Sequence, residues 1–371
     1  MIALDSLEAF DAHIRAGYDL AQVVLQRLDL TGRTAALLSC SVSGAIFLGC
    51  RLAPEALKTL HQADALVFPA LPDLPFRTYR TELYTPQELH SGCDFAAADP
   101  YASTLDARIF GHWRQSGRAA DASILETLCR RLHDHAITGA VRRLLADRRV
   151  FAVVGGADLR RDSPDFRRIA QLVWALTDRG LFCVSPGGPG ASEAAHLGAY
   201  MAQRPSSELH AAIEQLTTAP RHDDPAWLST ALQVRQDYPL TVPEAGASLG
   251  VPSWLHSYDR ANAFATHIAK YFASSVREDG LGSVAHAGIV FAPGGAETTQ
   301  AIFQHVDAHL HRADGGRPTI FLGEAHWTWR RPVFPMVSQM VAGHRYAQRL
   351  LITDDPQTAV DLLQAAPGFI A

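Results

Sequence analysis

The chain reads as an α/β protein, a Rossmann-like parallel sheet with helices on both faces, preceded by a smaller α/β domain. Three observations predict this. From Arg148 onward, short apolar runs alternate with stretches of helical period. Two of those runs end in glycine-rich loops that lead into helix-like segments. The first 150 residues lack so regular an alternation, and 371 residues suffice for two domains, placed at 1–147 and 148–371.

The elements follow in order. Ala35–Leu38 and Leu66–Phe68 read as strands of the first domain, and the proline-punctuated stretch Pro69–Phe76 reads as extended or turning. Ala122–Leu145 carries Leu125, Leu128, Leu132, Ile137, Val141 and Leu144 on one helical face. Val150–Val154 is a buried strand with its turn at Gly155-Gly156. Phe166–Arg179 has a helical period, with Gly180 as C-cap. Leu181–Val184 is the next strand. Thr218–Trp227 is a polar loop, expected to pass over the ligand site. Phe264–Val276 reads as a helix feeding the second glycine loop. Further strands are expected at Ile289–Ala292, Thr319–Leu322 and Arg349–Thr353.

Composition excludes several classes. Net charge is −5 with the 17 histidines neutral, which offers no nucleic-acid surface. No apolar stretch approaches the roughly 20 residues that span a bilayer. The N-terminus lacks a basic segment followed by an apolar core, so a cytoplasmic location is expected. The five cysteines are scattered without a CxxC pair, as buried thiols in a reducing compartment would be. His305 and His309 stand four residues apart, but no HExxH pattern accompanies them, and His133 and His135 do not share a helix face. No metal site and no cofactor are expected.

The chemistry resides in the two loops. The first is Pro186-Gly187-Gly188-Pro189-Gly190-Ala191-Ser192-Glu193, and the second is Pro293-Gly294-Gly295-Ala296-Glu297-Thr298-Thr299-Gln300. A strand, a glycine loop and a helix start together point bare N–H groups at an anion. Two such loops on one sheet suggest a phosphorylated ligand between them. Gly187, Gly188, Gly190, Ala191, Gly294 and Gly295 admit close approach of the ligand to the backbone. Thr298 and Thr299 offer hydroxyls that cap the helix or bind a phosphate oxygen. Glu193 is counted with the first loop, where a carboxylate also favours the helix dipole. Glu297 beside a phosphate would be repelled, so it is either a catalytic carboxylate or a sign that this loop no longer holds phosphate. Arg277 either closes a solvated charge cluster with Glu278 and Asp279 or reaches a phosphate.

The second loop resembles the PGGxGTxxE motif of the LOG (Lonely Guy) family, long misannotated as lysine decarboxylases. The first resembles that family's upstream GGGxxGxM turn. The similarity spans about Arg148 to Thr353 and is strongest, towards a longer bacterial group with an N-terminal domain, at Phe264–Phe272 and Ser275–Leu281. The resemblance implies a Rossmann-like fold, a homodimer or higher homo-oligomer, and cleavage of a nucleoside 5′-monophosphate into base and ribose 5-phosphate. It gives Arg277 the role of the family arginine, and Gly294, Gly295 and Thr298 the phosphate contacts. Two positions depart from the motif. Glu297 stands where the family has its second glycine, and Ala301 stands where it has its catalytic glutamate.

A nucleotide N-glycosidase with Arg277 and Glu297 as catalytic residues is the leading expectation. The first alternative is a non-hydrolytic sensor or regulatory protein that binds a nucleotide or nucleotide-like molecule and has lost the acid. The second is an altered chemistry using Glu297 and Asp259. The aromatics Phe264, Tyr271 and Phe272 are expected to help form the dimer face.

Overall fold

The computed structural model describes residues 2–97, 99–117, 122–242, 244–254, 260–273 and 280–365. They form two compact units, one of residues 1–82 with 111–140, the other of residues 83–110 with 141–371. Leu83–Phe110, placed with the first domain by sequence, therefore lies in the second unit.

Among the described residues of the first unit, a four-stranded parallel sheet runs in sequence order. Its strands are β1 (Ile2–Leu4), β2 (Val23–Gln26), β3 (Ile46–Leu48) and β4 (Leu66–Phe68). The registers are Ile2 with Val23, Val24 with Ile46, and Ile46 with Leu66. The helices Leu7–Arg15 and Pro54–Gln62 lie between strands, as parallel pairing demands. Ser6 starts the first of them by accepting from the Ala9 N–H at 3.1 Å. Phe10, Leu25, Phe47 and Leu60 pack the core of this unit. Ala35–Leu38, expected as a strand, belongs instead to the helix Thr34–Ser39. Four apolar residues do not distinguish a buried strand from a short helix.

The second unit holds a seven-stranded sheet, every pairing of which is parallel. Its strands are β5 (Arg149–Val154), β6 (Leu181–Ser185), β7 (Ser248–Gly250), β8 (His267–Ile268), β9 (Gly288–Phe291), β10 (Thr319–Leu322) and β11 (Leu350–Thr353). The spatial order is β11-β10-β9-β5-β6-β7-β8. The chain thus enters at the centre, winds outward through β8, returns beside β5 as β9, and winds outward on the other side. The order reverses between β5 and β9, and in such sheets ligands bind outside the carboxyl ends of the strands at that point. Helices cover both faces, and Val150, Phe151, Ala152 and Val153 are fully buried, which is why β5 reads as an unbroken apolar run. Ser163 caps the helix Pro164–Asp178 through the Phe166 N–H at 3.2 Å, and Gly180 follows its end at φ +82°.

The expected helix Phe264–Val276 is not formed over its described residues. Phe264 and Ala265 N–H groups donate to the Asn262 side chain, and His267–Ile268 pairs with β7 as an edge strand. Tyr84 closes the outer side of β8 through two backbone bonds to Ile268 at 2.8 and 3.0 Å. Phe264, Tyr271 and Phe272 are buried within this unit, so the aromatic face expected to form a dimer is core. Residues 274–276 lie outside the described ones.

Candidate functional site

Three loops meet at the strand-order reversal: the turn after β5, the first glycine loop after β6 and the second after β9. They are keyed to one another by backbone contact. The Gly156 N–H donates to the Pro293 carbonyl at 2.9 Å, and the Gly156 carbonyl accepts from the Ala191 N–H at 3.0 Å. At Gly190, φ is +67° and a Cβ would come within 2.4 Å of the Gly156 carbonyl oxygen. At Gly294 a Cβ would stand 2.1 Å from the Thr298 hydroxyl and 2.9 Å from the Gly156 nitrogen. Only glycine fits either place. Gly155-Gly156 carries the same strand-then-glycine signal as the other two loops and belongs to the same junction, not to a simple turn.

The first loop is held from two sides. Behind it, the Gly187 N–H donates to Ser185 Oγ at 3.0 Å, which bonds His196 Nε2 at 2.7 Å, and His196 Nδ1 meets Ser248 Oγ at 2.9 Å. Burial pushes the His196 pKa down to about 3, so the ring is neutral at ordinary pH. Ser185, His196 and Ser248 are all fully buried, so this set supports the loop and meets no solute. From the other side, the Asn262 amide donates to the carbonyls of Gly187 and Gly188 at 2.9 and 3.1 Å. No pattern in the sequence singled out Asn262 or His196.

What the loop presents is donor-rich. Gly188, Gly190, Ser192 and Glu193 are buried, yet among the described residues their backbone N–H groups find no acceptor. Buried backbone N–H groups are nearly always paired, so a fan of unpaired ones at a helix start calls for an external acceptor. The helix Ala191–Tyr200 has no side-chain cap, and neither has the helix Ala296–Leu310. Both N-termini therefore keep their positive partial charge.

The other residues singled out by sequence are placed as follows. Ala191 and Thr298 are buried in the loop junction, whereas Gly295 and Glu297 are exposed at the start of the Ala296–Leu310 helix. The Thr299 hydroxyl donates to the carbonyl of Gly295, the residue that precedes its helix, at 3.0 Å. His326, reached from β10, sets Nε2 3.2 Å from the Gly294 carbonyl and 3.3 Å from its nitrogen. The Glu193 side chain is engaged by protein groups. Its carboxylate is gripped by Arg161 at 2.5 and 3.1 Å and by Trp227 Nε1 at 3.2 Å. Arg161 also donates to the carbonyls of Ala219 at 3.1 Å and Trp227 at 3.0 Å, pinning the Thr218–Trp227 segment to the first-loop helix. Arg277 and Asp259 lie outside the described residues.

No family model matches the chain, and no curated protein matches it. Several solved structures do. One is described as the molybdenum cofactor binding protein from the phototrophic bacterium Rippkaea orientalis, with TM-score 0.37, 11% identity, and 59% of this chain and 96% of that one covered. Two are structures of the molybdenum cofactor carrier protein from Chlamydomonas reinhardtii. Their TM-scores are 0.37 and 0.36 at 13% and 14% identity, with 58% and 59% of this chain and 96% and 98% of theirs covered.

These findings overturn the expected family. No family model matches the chain, that of the LOG family included. The phosphoribohydrolase activity and the assignment as a hydrolase, which came with that family, are withdrawn. The site agrees with this correction at one point, because the position of the family's glutamate is Ala301, a residue with no acid to offer.

Among the described residues, no three metal-capable side chains gather, and no helix is long and apolar enough to cross a membrane. His305 bonds Thr319 through Nε2 at 3.0 Å, and His309 bonds the His305 carbonyl through Nδ1 at 2.8 Å.

Proposed function

We propose that the second unit binds a phosphorylated, nucleotide-like small molecule and holds it without cleaving it, as a sensor or carrier. The observation that carries this reading is the fan of unpaired N–H groups in the buried residues Gly188, Gly190, Ser192 and Glu193, set at the strand-order reversal. A phosphate is the acceptor that such a fan suits. It spreads several oxygens over successive N–H groups, and its charge meets the N-terminus of the Ala191–Tyr200 helix. The neighbouring Gly295 and Ala296, exposed at the second helix start, extend the same surface. Gly187, Ala191, Gly294 and Thr298 shape the cradle. Glu193 contributes through its N–H, while its carboxylate is engaged elsewhere.

Calorimetry tests this with adenosine 5′-monophosphate, adenosine, inorganic phosphate and the molybdenum cofactor as titrants. The monophosphate is expected to bind at least about tenfold tighter than the nucleoside, one charge-assisted contact being worth about 1.5–3 kcal/mol. Prolonged incubation is expected to release no free base. Gly294→Val is expected to erase the difference, since its side chain collides with Thr298 and Gly156. Equal affinities of the wild-type protein for nucleotide and nucleoside would remove the phosphate cradle from consideration.

A further inference from the structure

We propose that Asn262 is the positioning residue that aims the first glycine loop at its ligand, and that the Leu83–Phe110 excursion holds Asn262 in place. The inference rests on the reading of that loop as the phosphate cradle.

Asn262 is fully buried and uses both ends of its amide. Its oxygen accepts from the Phe264 and Ala265 N–H groups, each at 3.0 Å. Its nitrogen donates to the Gly187 and Gly188 carbonyls, and its own backbone N–H donates to the Gly187 carbonyl at 3.1 Å. In a planar trans peptide the carbonyl and the following N–H point in opposite directions. Drawing the Gly187 carbonyl toward Asn262 therefore turns the Gly188 N–H to the other side of the loop, where no group of the described residues accepts it. Without the Asn262 amide only the backbone N–H of residue 262 holds that orientation, and glycine peptides rotate readily.

The residue before Asn262 is fixed at both of its backbone groups. The Ala261 carbonyl accepts from His90 Nε2 at 2.9 Å, and the Ala261 N–H donates to the Tyr101 hydroxyl at 3.3 Å. Tyr101 in turn donates to Asp106. Asp106 is fully buried and also receives Lys270 Nζ at 2.6 Å and Trp254 Nε1 at 2.8 Å. One buried carboxylate thus ties the excursion to the segment that carries Asn262. A buried polar network of this kind rigidifies what it holds when its members are satisfied.

Asn262→Asp is the discriminating variant. The carboxylate still accepts from Phe264 and Ala265 but can no longer donate to the loop carbonyls, which it repels. Two measurements follow. In the ligand-free protein, hydrogen exchange at the Gly187 and Ala191 N–H groups, which are bonded to Ser185 Oγ and the Gly156 carbonyl, is expected to quicken at least tenfold in Asn262→Asp, with the thermal midpoint recorded alongside. By calorimetry, the variant's affinity for adenosine 5′-monophosphate is expected to fall at least tenfold while its affinity for adenosine stays the same. Tyr101→Phe is expected to shift both readouts in the same direction by a smaller factor. Unchanged exchange in Asn262→Asp overturns the positioning role whatever the ligand. So does an equal loss of nucleotide and nucleoside affinity. If the wild-type protein itself fails to prefer the nucleotide, the phosphate reading falls while the exchange result still decides the role of Asn262.

Discussion

Replacing Glu193 with alanine is expected to cost about 3–5 kcal/mol of unfolding free energy, the range for breaking one side of a buried ion pair. Arg161 would stay behind with a side chain only 1% exposed and its charge uncompensated. The loss would also spread. Arg161 holds the Ala219 and Trp227 carbonyls, its guanidinium lies 5.2 Å from the Trp227 ring centre, and the Trp227 indole donates to the same carboxylate. The Thr218–Trp227 segment is therefore expected to loosen together with the pair. Arg161→Met combined with Glu193→Leu is expected to recover part of the stability, because well-packed apolar residues often replace such a pair at no net cost, while the Ala219 and Trp227 carbonyls lose their donor and the Trp227 indole its acceptor. Denaturant unfolding of the three proteins checks this. A Glu193→Ala protein within about 1 kcal/mol of wild type would show that the pair contributes little and that water reaches Arg161.

The second large effect is acid sensitivity above the range in which carboxylates titrate. His196 and His305 are both pushed down to about 3 by burial, from an ordinary value of 6.5. Burial also lowers His90 and His133. A histidine depressed in the folded state binds its proton in the unfolded chain first. Its contribution to stability is complete above pH 6.5 and is lost as pH falls from there toward 3. The slope is about 1.4 kcal/mol per pH unit for each such proton. Unfolding free energies at pH 7.5, 6.5, 5.5 and 5 are expected to fall progressively more steeply. His305→Gln is expected to flatten that decline by about one proton's worth. A level profile from pH 7 to 5 would mean that these rings are protonated inside the fold.

Much of the second unit was legible because its strands are buried on both faces and its main helices are amphipathic. Val150–Val154, Leu181–Val184 and Thr319–Leu322 read as strands for the first reason, and Phe166–Arg179 read as a helix for the second. The two long glycine loops were legible because bare backbone at a helix start has few other uses. The segment around β8 was not. Phe264, Ile268, Tyr271 and Phe272 have a helical spacing, but all four are buried, so their spacing records burial on every side and not one helical face. The Asn262 amide, which terminates the local turn and reaches the first loop, sits 75 residues from Gly187 in the sequence. Partnerships of that length leave no periodic trace. Arg161 and Glu193 are likewise 32 residues apart, and a carboxylate at a helix start looks the same in sequence whether it faces a ligand or a buried guanidinium. The family resemblance went astray for a related reason. It rested on the two glycine loops and on the Phe264–Phe272 and Ser275–Leu281 segments, and glycine spacing reports how closely loops must approach one another, a demand shared by chains of different chemistry.

The mutual fit of the loops after β5, β6 and β9 sets the unit of exchange for redesign. Transplanting the Pro186–Glu193 segment alone into another scaffold would leave Gly190 without the Gly156 carbonyl it was shaped against. Transplanting the Pro293–Thr299 segment alone would strand the Pro293 carbonyl that receives the Gly156 N–H. The portable module is the trio of loops with its three central strands. Diversification inside that module belongs at Gly188 and Gly295, where an added methyl group would meet no heavy atom within 4 Å.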